Sequence, residues 1–350
     1  MPRQKASVAA VIPARDEVQC IGGTVAALIG QDYPGVLRIV VVDDHSSDGT
    51  AAAAREAAER LGAADRLTVL EAEALPPGWS GKLWAVAQGV AHLEAREADP
   101  PDFILLTDAD IEHGPGNVAS LVGRAQAEGR DLVSQMVRLS TESWPERALI
   151  PAFVFFFFML YPPRWAADPG NGSAAAAGGS ILIRPSALAR IGGIAAIKSA
   201  LIDDCALAAA VKRTGGRIRL DPTLEARSTR IYGTAGEIWA MIARTAFTQL
   251  HYSTPLLIGT LLGLGITYVA PPLLALFGHG WPRVAGAVTW GVMACVFLPT
   301  VRLFRLNPLW SLALPAIALF YSAATIGSAV NYWRGRGGQW KGRAQAIKDI

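Results

Sequence analysis

Val40-Val-Val-Asp-Asp-His-Ser-Ser-Asp-Gly-Thr50 combines a β-branched run, an acidic turn and the opening of a helix. Three consecutive valines favour a buried strand. Asp48 or Ser47 suits the N-cap of the helix that follows, which leaves Asp43 and Asp44 free to accept hydrogen bonds from a ligand. The same pattern repeats on both sides of this stretch. Strands are predicted at 7–12, 37–42, 67–70, 103–107 and 132–137, and helices at 18–29, 50–61, 81–95 and 116–127. This alternation predicts an α/β fold with a mainly parallel sheet and flanking helices.

Ligands of such sheets gather beyond the carboxyl ends of the strands. Arg15, Asp16 and Glu17 follow the first strand, Asp43, Asp44 and His45 the second, and Asp108 and Asp110 a later one. Turn chemistry alone accounts for one acidic cluster. Three clusters at strand ends point to a site. The first turn, Pro13-Ala-Arg-Asp-Glu17, lacks the G-x-G-x-x-G spacing, which argues against a dinucleotide site.

Charge is spread unevenly over the 350 residues, of which 51% are hydrophobic and 17% charged. That is well below the roughly 25% charged residues of a soluble domain and excludes a disordered chain. Residues 1–251 hold 24 basic and 28 acidic side chains, whereas residues 252–350 hold eight basic and one acidic, Asp349. Apolar segments at 254–277, 284–301 and 308–330 are each long enough to cross a bilayer core of about 30 Å. Pro271-Pro272 and Pro315 are expected to kink them. The basic tail, 332–350, conflicts with three crossings, because the positive-inside rule places it on the side of the first domain. A re-entrant segment or a hairpin at Pro271-Pro272 would remove that conflict.

The expected organisation is a catalytic domain over 1–235, an interfacial amphipathic helix over 236–252, membrane helices over 253–331 and the tail. Within the first domain, 151–165 carries four consecutive phenylalanines and is too short to span, so it reads as a helix at the membrane surface. Cys20, Cys205 and Cys295 have neither zinc nor disulfide spacing. The N-terminus has no signal-peptide pattern, so residues 1–250 are expected in the cytoplasm.

Thr107-Asp-Ala-Asp110 closes an apolar strand, where carboxylates can hold Mg²⁺ or Mn²⁺ that bridges diphosphate oxygens. Lys82 opens a helix, an unfavourable place for a cation, which a nearby anion such as a diphosphate would explain; a surface lysine would need no anion. Asp203-Asp204 opens another helix, either as capping residues or as a pair in which one raised pKa suits a general base.

In this order, Val11-Ile-Pro-Ala-Arg-Asp-Glu17, 41–50, Thr107-Asp-Ala-Asp110, Ala177-Gly-Gly-Ser-Ile-Leu-Ile-Arg184 and Ile202-Asp-Asp-Cys205 resemble the inverting, metal-dependent glycosyltransferases of family 2. Pro76-Pro-Gly-Trp-Ser-Gly-Lys-Leu-Trp84, 149–157 and 243–250 are similar to the hopanoid-biosynthesis-associated membrane members. The resemblance implies a GT-A fold and a divalent cation, Mg²⁺ or Mn²⁺, on Asp110 with Asp108 beside it. It also implies a nucleotide-sugar, a UDP-sugar first, bound by Pro13, Arg15, Glu17, Asp43, Asp44, Lys82 and Asp108. Asp204, next to Asp203, would be the base. Processive relatives carry Gln-x-x-Arg-Trp; here only Arg244 and Gln249 approach it, as acceptor or diphosphate contacts.

The expected activity is inverting transfer of one sugar to a lipid hydroxyl, with a hopanoid suggested by the resemblance. The expected setting is a bacterial-type inner membrane with the catalytic domain on the cytoplasmic side, and no nucleic-acid partner. Transfer to polyprenyl phosphate and non-catalytic nucleotide-sugar binding are the alternatives.

Overall fold

The computed structural model describes residues 5–95 and 100–335, and the backbone of 339–340 and 343–344. Most of the basic tail at 332–350 lies outside the described residues. In chain order the first part holds β1 (Val8–Ala14), α1 (Val18–Ile29), β2 (Leu37–Asp43), α2 (Thr50–Arg60), β3 (Leu67–Glu71), α3 (Gly81–Glu94), β4 (Phe103–Leu106), β5 (Ile111–His113), α4 (Asn117–Ala127) and β6 (Leu132–Arg138). There follow α5 (Trp144–Leu160), α6 (Pro163–Ala167), β7 (Ile181–Ile183), α7 (Pro185–Arg190), α8 (Asp203–Arg213) and β8 (Ile218–Ser228). The C-terminal part is helical: α9 (Ala235–Gln249), α10 (Thr254–Leu264), α11 (Ala270–Phe277), α12 (Trp281–Leu303) and α13 (Leu314–Trp333).

The eight strands form one sheet in the order β3-β2-β1-β4-β7-β6-β8-β5. β1 to β4 run parallel, and β7 is antiparallel to both β4 and β6. Both faces are covered, so β1 and β2 read as unbroken apolar runs instead of alternating ones. In β1, Ala9 and Val11 face Val86 and Val90 of α3, while Val8, Ala10 and Ile12 face Val25 and Leu28 of α1. Pro13 lies beyond the last β1–β4 pair, Val11 with Leu106, where its missing N–H no longer interrupts that pairing.

The chain divides into two compact units. The sheet unit holds the chain up to Leu139 and Tyr161–Arg230. The helical unit holds Ser140–Leu160 and Ile231–Gln339. The aromatic helix expected at 151–165 therefore differs from expectation: as α5 it starts at Trp144, ends at Leu160 and groups with the helical unit. The reason is packing. Phe155 meets Phe297 edge-on at 5.2 Å, and Phe156 lies 5.7 Å from Tyr268 and 5.1 Å from Tyr321, centroid to centroid.

At the start of α5 the Glu146 carboxylate is buried and fully used. It accepts from the Glu142, Ser143 and Tyr232 N–H groups and from the Ser140 hydroxyl. α9 opens on a reciprocal capping box between Thr234 and Glu237. Thr254–Phe277, Trp281–Leu303 and Pro308–Trp333 are each long and apolar enough to cross a membrane. A π-helical segment, Gly265–Val269, joins α10 to α11 immediately before Pro271-Pro272. Where a kink was expected there is a wider turn, which relieves the clash of a proline ring with the preceding turn.

Candidate active site

Three loops meet beyond the carboxyl ends of β1, β2 and β4. The first two are tied together. Asp44 N–H donates to the Ala14 carbonyl at 2.8 Å, Ser47 N–H to Asp16 Oδ1 at 2.9 Å and Asp16 N–H to Ser46 Oγ at 2.9 Å. Asp16 and His45 hold left-handed backbones, with φ of 50° and 54°, conformations uncommon outside glycine. The cap of α2 is Gly49, at φ 94°, and not Asp48 or Ser47. That left-handed turn swings the Asp48 carboxylate between two helices. Oδ1 accepts from Thr50 N–H at 3.0 Å and Oδ2 from Val18 N–H at 3.0 Å.

The two acids expected to be free for a ligand are engaged within the loop. Asp43 accepts from the Ser46 hydroxyl. Asp44 is fully buried, with Arg15 Nη1 3.5 Å from its Oδ2 and donating to its backbone oxygen at 2.6 Å. Glu17 N–H donates to Thr50 Oγ1 at 2.8 Å, and the Glu17 charge acts on Asp110.

Asp110 is mounted from behind through its main chain. Thr229 N–H donates to the Asp110 carbonyl at 2.8 Å, and Ser228 Oγ to the carboxylate at 3.3 Å. Burial, then the charge of Asp108, raises its pKa to about 6, with Arg230 acting in the opposite direction. Among the described residues no three His, Cys, Asp or Glu side chains form a ready-made metal cage. Two oxygen-donor acids still fit a hard cation whose other ligands are substrate phosphates and water.

Asp108 faces the acid pair at the start of α8 through Lys82. The Lys82 ammonium lies 2.8 Å from Asp108 Oδ1 and 3.1 Å from Asp203 Oδ2, with its side chain 19% exposed. Burial alone would lower the Lys82 pKa, but the charges of Asp108 and Asp203 outweigh it and raise it. The anions that explain a lysine in the first turn of α3 are therefore the chain's own carboxylates. Asp204 Oδ2 accepts from Gly178 N–H at 2.8 Å and Oδ1 from Cys205 N–H at 2.7 Å. Burial, then Asp203, raises the Asp204 pKa to about 6, opposed by Lys82 and the two backbone donors. Pro13, Lys82, Asp108, Gly178, Asp203 and Asp204 line one cavity. A Cβ on Gly178 would stand 3.5 Å from both Asp204 Oδ2 and Lys82 Nζ, in ordinary contact with the cluster, so a side chain there would line it directly.

Gly178 and Arg230 are absent from the sequence-derived set. The Gly178-Gly179 pair before β7 was the available signal for the first; nothing local marks Arg230. Arg244 is exposed and Gln249 half-buried on α9, in the helical unit.

Behind the cluster runs a buried relay. Asn117 Nδ2 lies 2.8 Å from His113 Nδ1, His113 Nε2 lies 2.9 Å from Thr107 Oγ1, and the Thr107 hydroxyl donates to the Gly179 carbonyl at 2.8 Å. All these bonds are satisfied when the imidazole is neutral with its proton on Nε2. Burial lowers the His113 pKa to about 4. The unfolded chain takes this proton near pH 6.5, so stability present above that pH is lost as pH falls towards 4, on the order of 3 kcal/mol. Denaturant titrations of the parent and His113→Gln between pH 7 and 4.5 should therefore diverge, with the steeper decline in the parent. Parallel curves would remove His113 as the cause.

Over 143 residues, 39% of this chain and 38% of the relative, the sequence is 31% identical to an undecaprenyl-phosphate 4-deoxy-4-formamido-L-arabinose transferase of Enterobacter sp. (strain 638). The enzyme of that name from Edwardsiella ictaluri (strain 93-146) is 30% identical over 146 residues, 40% of each chain. The matches thus span about two fifths of these curated relatives. Among solved structures, the mannosyltransferase PcManGT from Pyrobaculum calidifontis, in complex with GDP-Man and Mn²⁺, superposes with a TM-score of 0.58 at 20% identity. That alignment covers 96% of this chain and 89% of the other, and it supports the fold. Residues 9–192, which include the strand ends, Lys82 and the glycine loop, match the family described as Glycosyl transferase family 2, and the chain belongs to that family.

Proposed function

We propose that this protein transfers a single sugar from a nucleotide-sugar to a polyprenyl phosphate in the cytoplasmic membrane, inverting the anomeric carbon. The observation that carries this reading is the state of Asp204, whose two oxygens accept from the backbone N–H groups of Gly178 and Cys205. An acceptor phosphate arrives already ionised and needs no base. Its oxygen forms the new bond to the anomeric carbon as the bond from that carbon to the nucleoside diphosphate breaks. The curated relatives, named as undecaprenyl-phosphate transferases, support the same acceptor class.

In this mechanism Glu17 and Arg15 form the nucleoside end, with Asp43 and Asp44 holding its loop in shape from within, and Pro13 lies on the side of the Lys82 cavity. Asp110 and Asp108 would hold a divalent cation, which neutralises the leaving diphosphate when bound. Lys82 adds fixed positive charge where negative charge develops. Arg244 and Gln249 are assigned to acceptor contacts on the membrane side.

A lipid hydroxyl, hopanoid or other, is the second reading. The raised pKa of Asp204 beside Asp203 favours it, since such a carboxylate suits a general base. The test offers a nucleotide-sugar panel with polyprenyl phosphate and with a hopanoid polyol, and reads the lipid products by mass spectrometry. Asp204→Asn should keep polyprenyl-phosphate turnover within about tenfold of the parent. A loss of about 100-fold or more, with product on the hydroxyl lipid alone in the parent, would replace the first reading by the second.

A further inference from the structure

Three straight crossings would put the start of the first apolar segment and the end of the third on opposite faces, about 30 Å apart. The helical unit has them together. Tyr252, two residues before α10, stacks on Tyr332 near the end of α13 with ring centroids 4.3 Å apart and planes 20° apart. Phe247 of α9 packs edge-on against Tyr252, Tyr332 and Trp333 at 5.9, 5.5 and 5.7 Å. Below the rings, Phe247, Leu257 of α10 and Ala329 of α13 form one buried cluster, and Phe247 N–H donates to Ser328 Oγ at 3.0 Å.

The path between those ends explains how they meet. α12 folds back on α11: a Cβ on Gly286 would lie 2.6 Å from the Pro271 carbonyl oxygen and from Ala275 N. Its 23 residues, at about 1.5 Å each, return the chain across the bilayer core. After a left-handed turn at Arg305 (φ 55°), residues 304–313 climb back along α12, where Trp290 Nε1 donates to the Leu312 carbonyl at 3.1 Å. α13 then descends beside α10, antiparallel to it.

We infer that the helical unit meets the bilayer with an even number of crossings. Thr254–Phe277 and Trp281–Leu303 form an out-and-back pair, 304–333 is a re-entrant arm, and Tyr252, Tyr332 and Trp333 sit at the headgroup level of the face where the chain enters. Three observations agree. Apolar side chains line the outside of the pair, with Leu262 63%, Ile266 71% and Val288 61% exposed. The three rings of the entry face are 40 to 55% exposed, as interfacial aromatic anchors are. Arg302, Arg305 and Arg334 lie towards the entry face against Arg283 at the far turn, the bias that keeps a face cytoplasmic. Arg334 and Gly335, where the continuously described chain ends within the basic tail, then lie on the face from which α9 arrives, which removes the conflict between the charge of the tail and three crossings. The inference rests on the helical unit alone and holds whatever the acceptor is.

The test places an epitope tag before Met1, after Ile350 or after His279 in the full-length protein. Antibody access is scored in intact and lysed spheroplasts of expressing bacteria. Both terminal tags should be reached only after lysis, and the tag after His279 in intact spheroplasts. The terminal pair decides the parity even where the internal tag disturbs folding. A C-terminal tag reached in intact spheroplasts while the N-terminal one is shielded would overturn the inference. So would release of the untagged protein from membranes by alkaline carbonate.

Discussion

Lys82→Met should lower turnover by about 100- to 1,000-fold, or about 2.7 to 4 kcal/mol of transition-state stabilisation. Methionine keeps the apolar stem packed in the first turn of α3 and removes only the ammonium. That ammonium is shared between Asp108 at 2.8 Å and Asp203 at 3.1 Å, so it links the Asp-x-Asp turn to the acid pair of α8. Two effects then add. The leaving diphosphate loses a fixed positive charge, and Asp108, Asp203 and Asp204 face one another without a cation between them. Lys82→Arg should recover part of the activity, because the charge returns on a larger, forked group. A double-mutant cycle with Asp203→Asn should give a coupling of about 0.5 to 3 kcal/mol. An unchanged melting temperature would assign the loss to the reaction and not to the fold. Turnover within tenfold of the parent would remove Lys82 from the mechanism.

Asp110→Asn should cost about 1,000-fold, the equivalent of about 4 kcal/mol, and should abolish the response to added Mg²⁺ or Mn²⁺. The substitution is nearly isosteric, and Thr229 holds the main chain of residue 110, so the turn should keep its shape. EDTA should bring the parent down to the level of the variant and leave the variant unchanged. A parent that keeps its turnover in EDTA would refute the cation assignment for both carboxylates.

The halves of the site differ in how far the sequence showed them. β1, β2, β3 and β6, with the helices between them, lie within two residues of their predicted bounds, because long apolar runs and acidic turns are local signals. β5 and β7 have three residues each, too few for a periodicity, and β8 carries Pro222 and alternating charges. These strands exist through pairing with distant partners, as the antiparallel β7 does between β4 and β6. The same limit applies to the cluster. The acids were visible one strand end at a time. The bridge from Lys82 to Asp203, the grip of Asp204 on Gly178 and the action of Arg230 on Asp110 join residues far apart in the chain.

The widened turn at Gly265–Val269 has a consequence for any residue-by-residue scan of the first membrane segment. A π turn adds one residue without adding a turn, so it shifts the angular phase of everything after it by about 100°. Exposed apolar side chains recur every four residues before the slip, at Ile258, Leu262 and Ile266, and come after it as two adjacent pairs, Leu273 with Leu274 and Leu276 with Phe277. A labelling scan fitted with one helical period would thus misplace the second half of this segment by about 100°. Fitted as two helices with an offset, it should recover a single stripe.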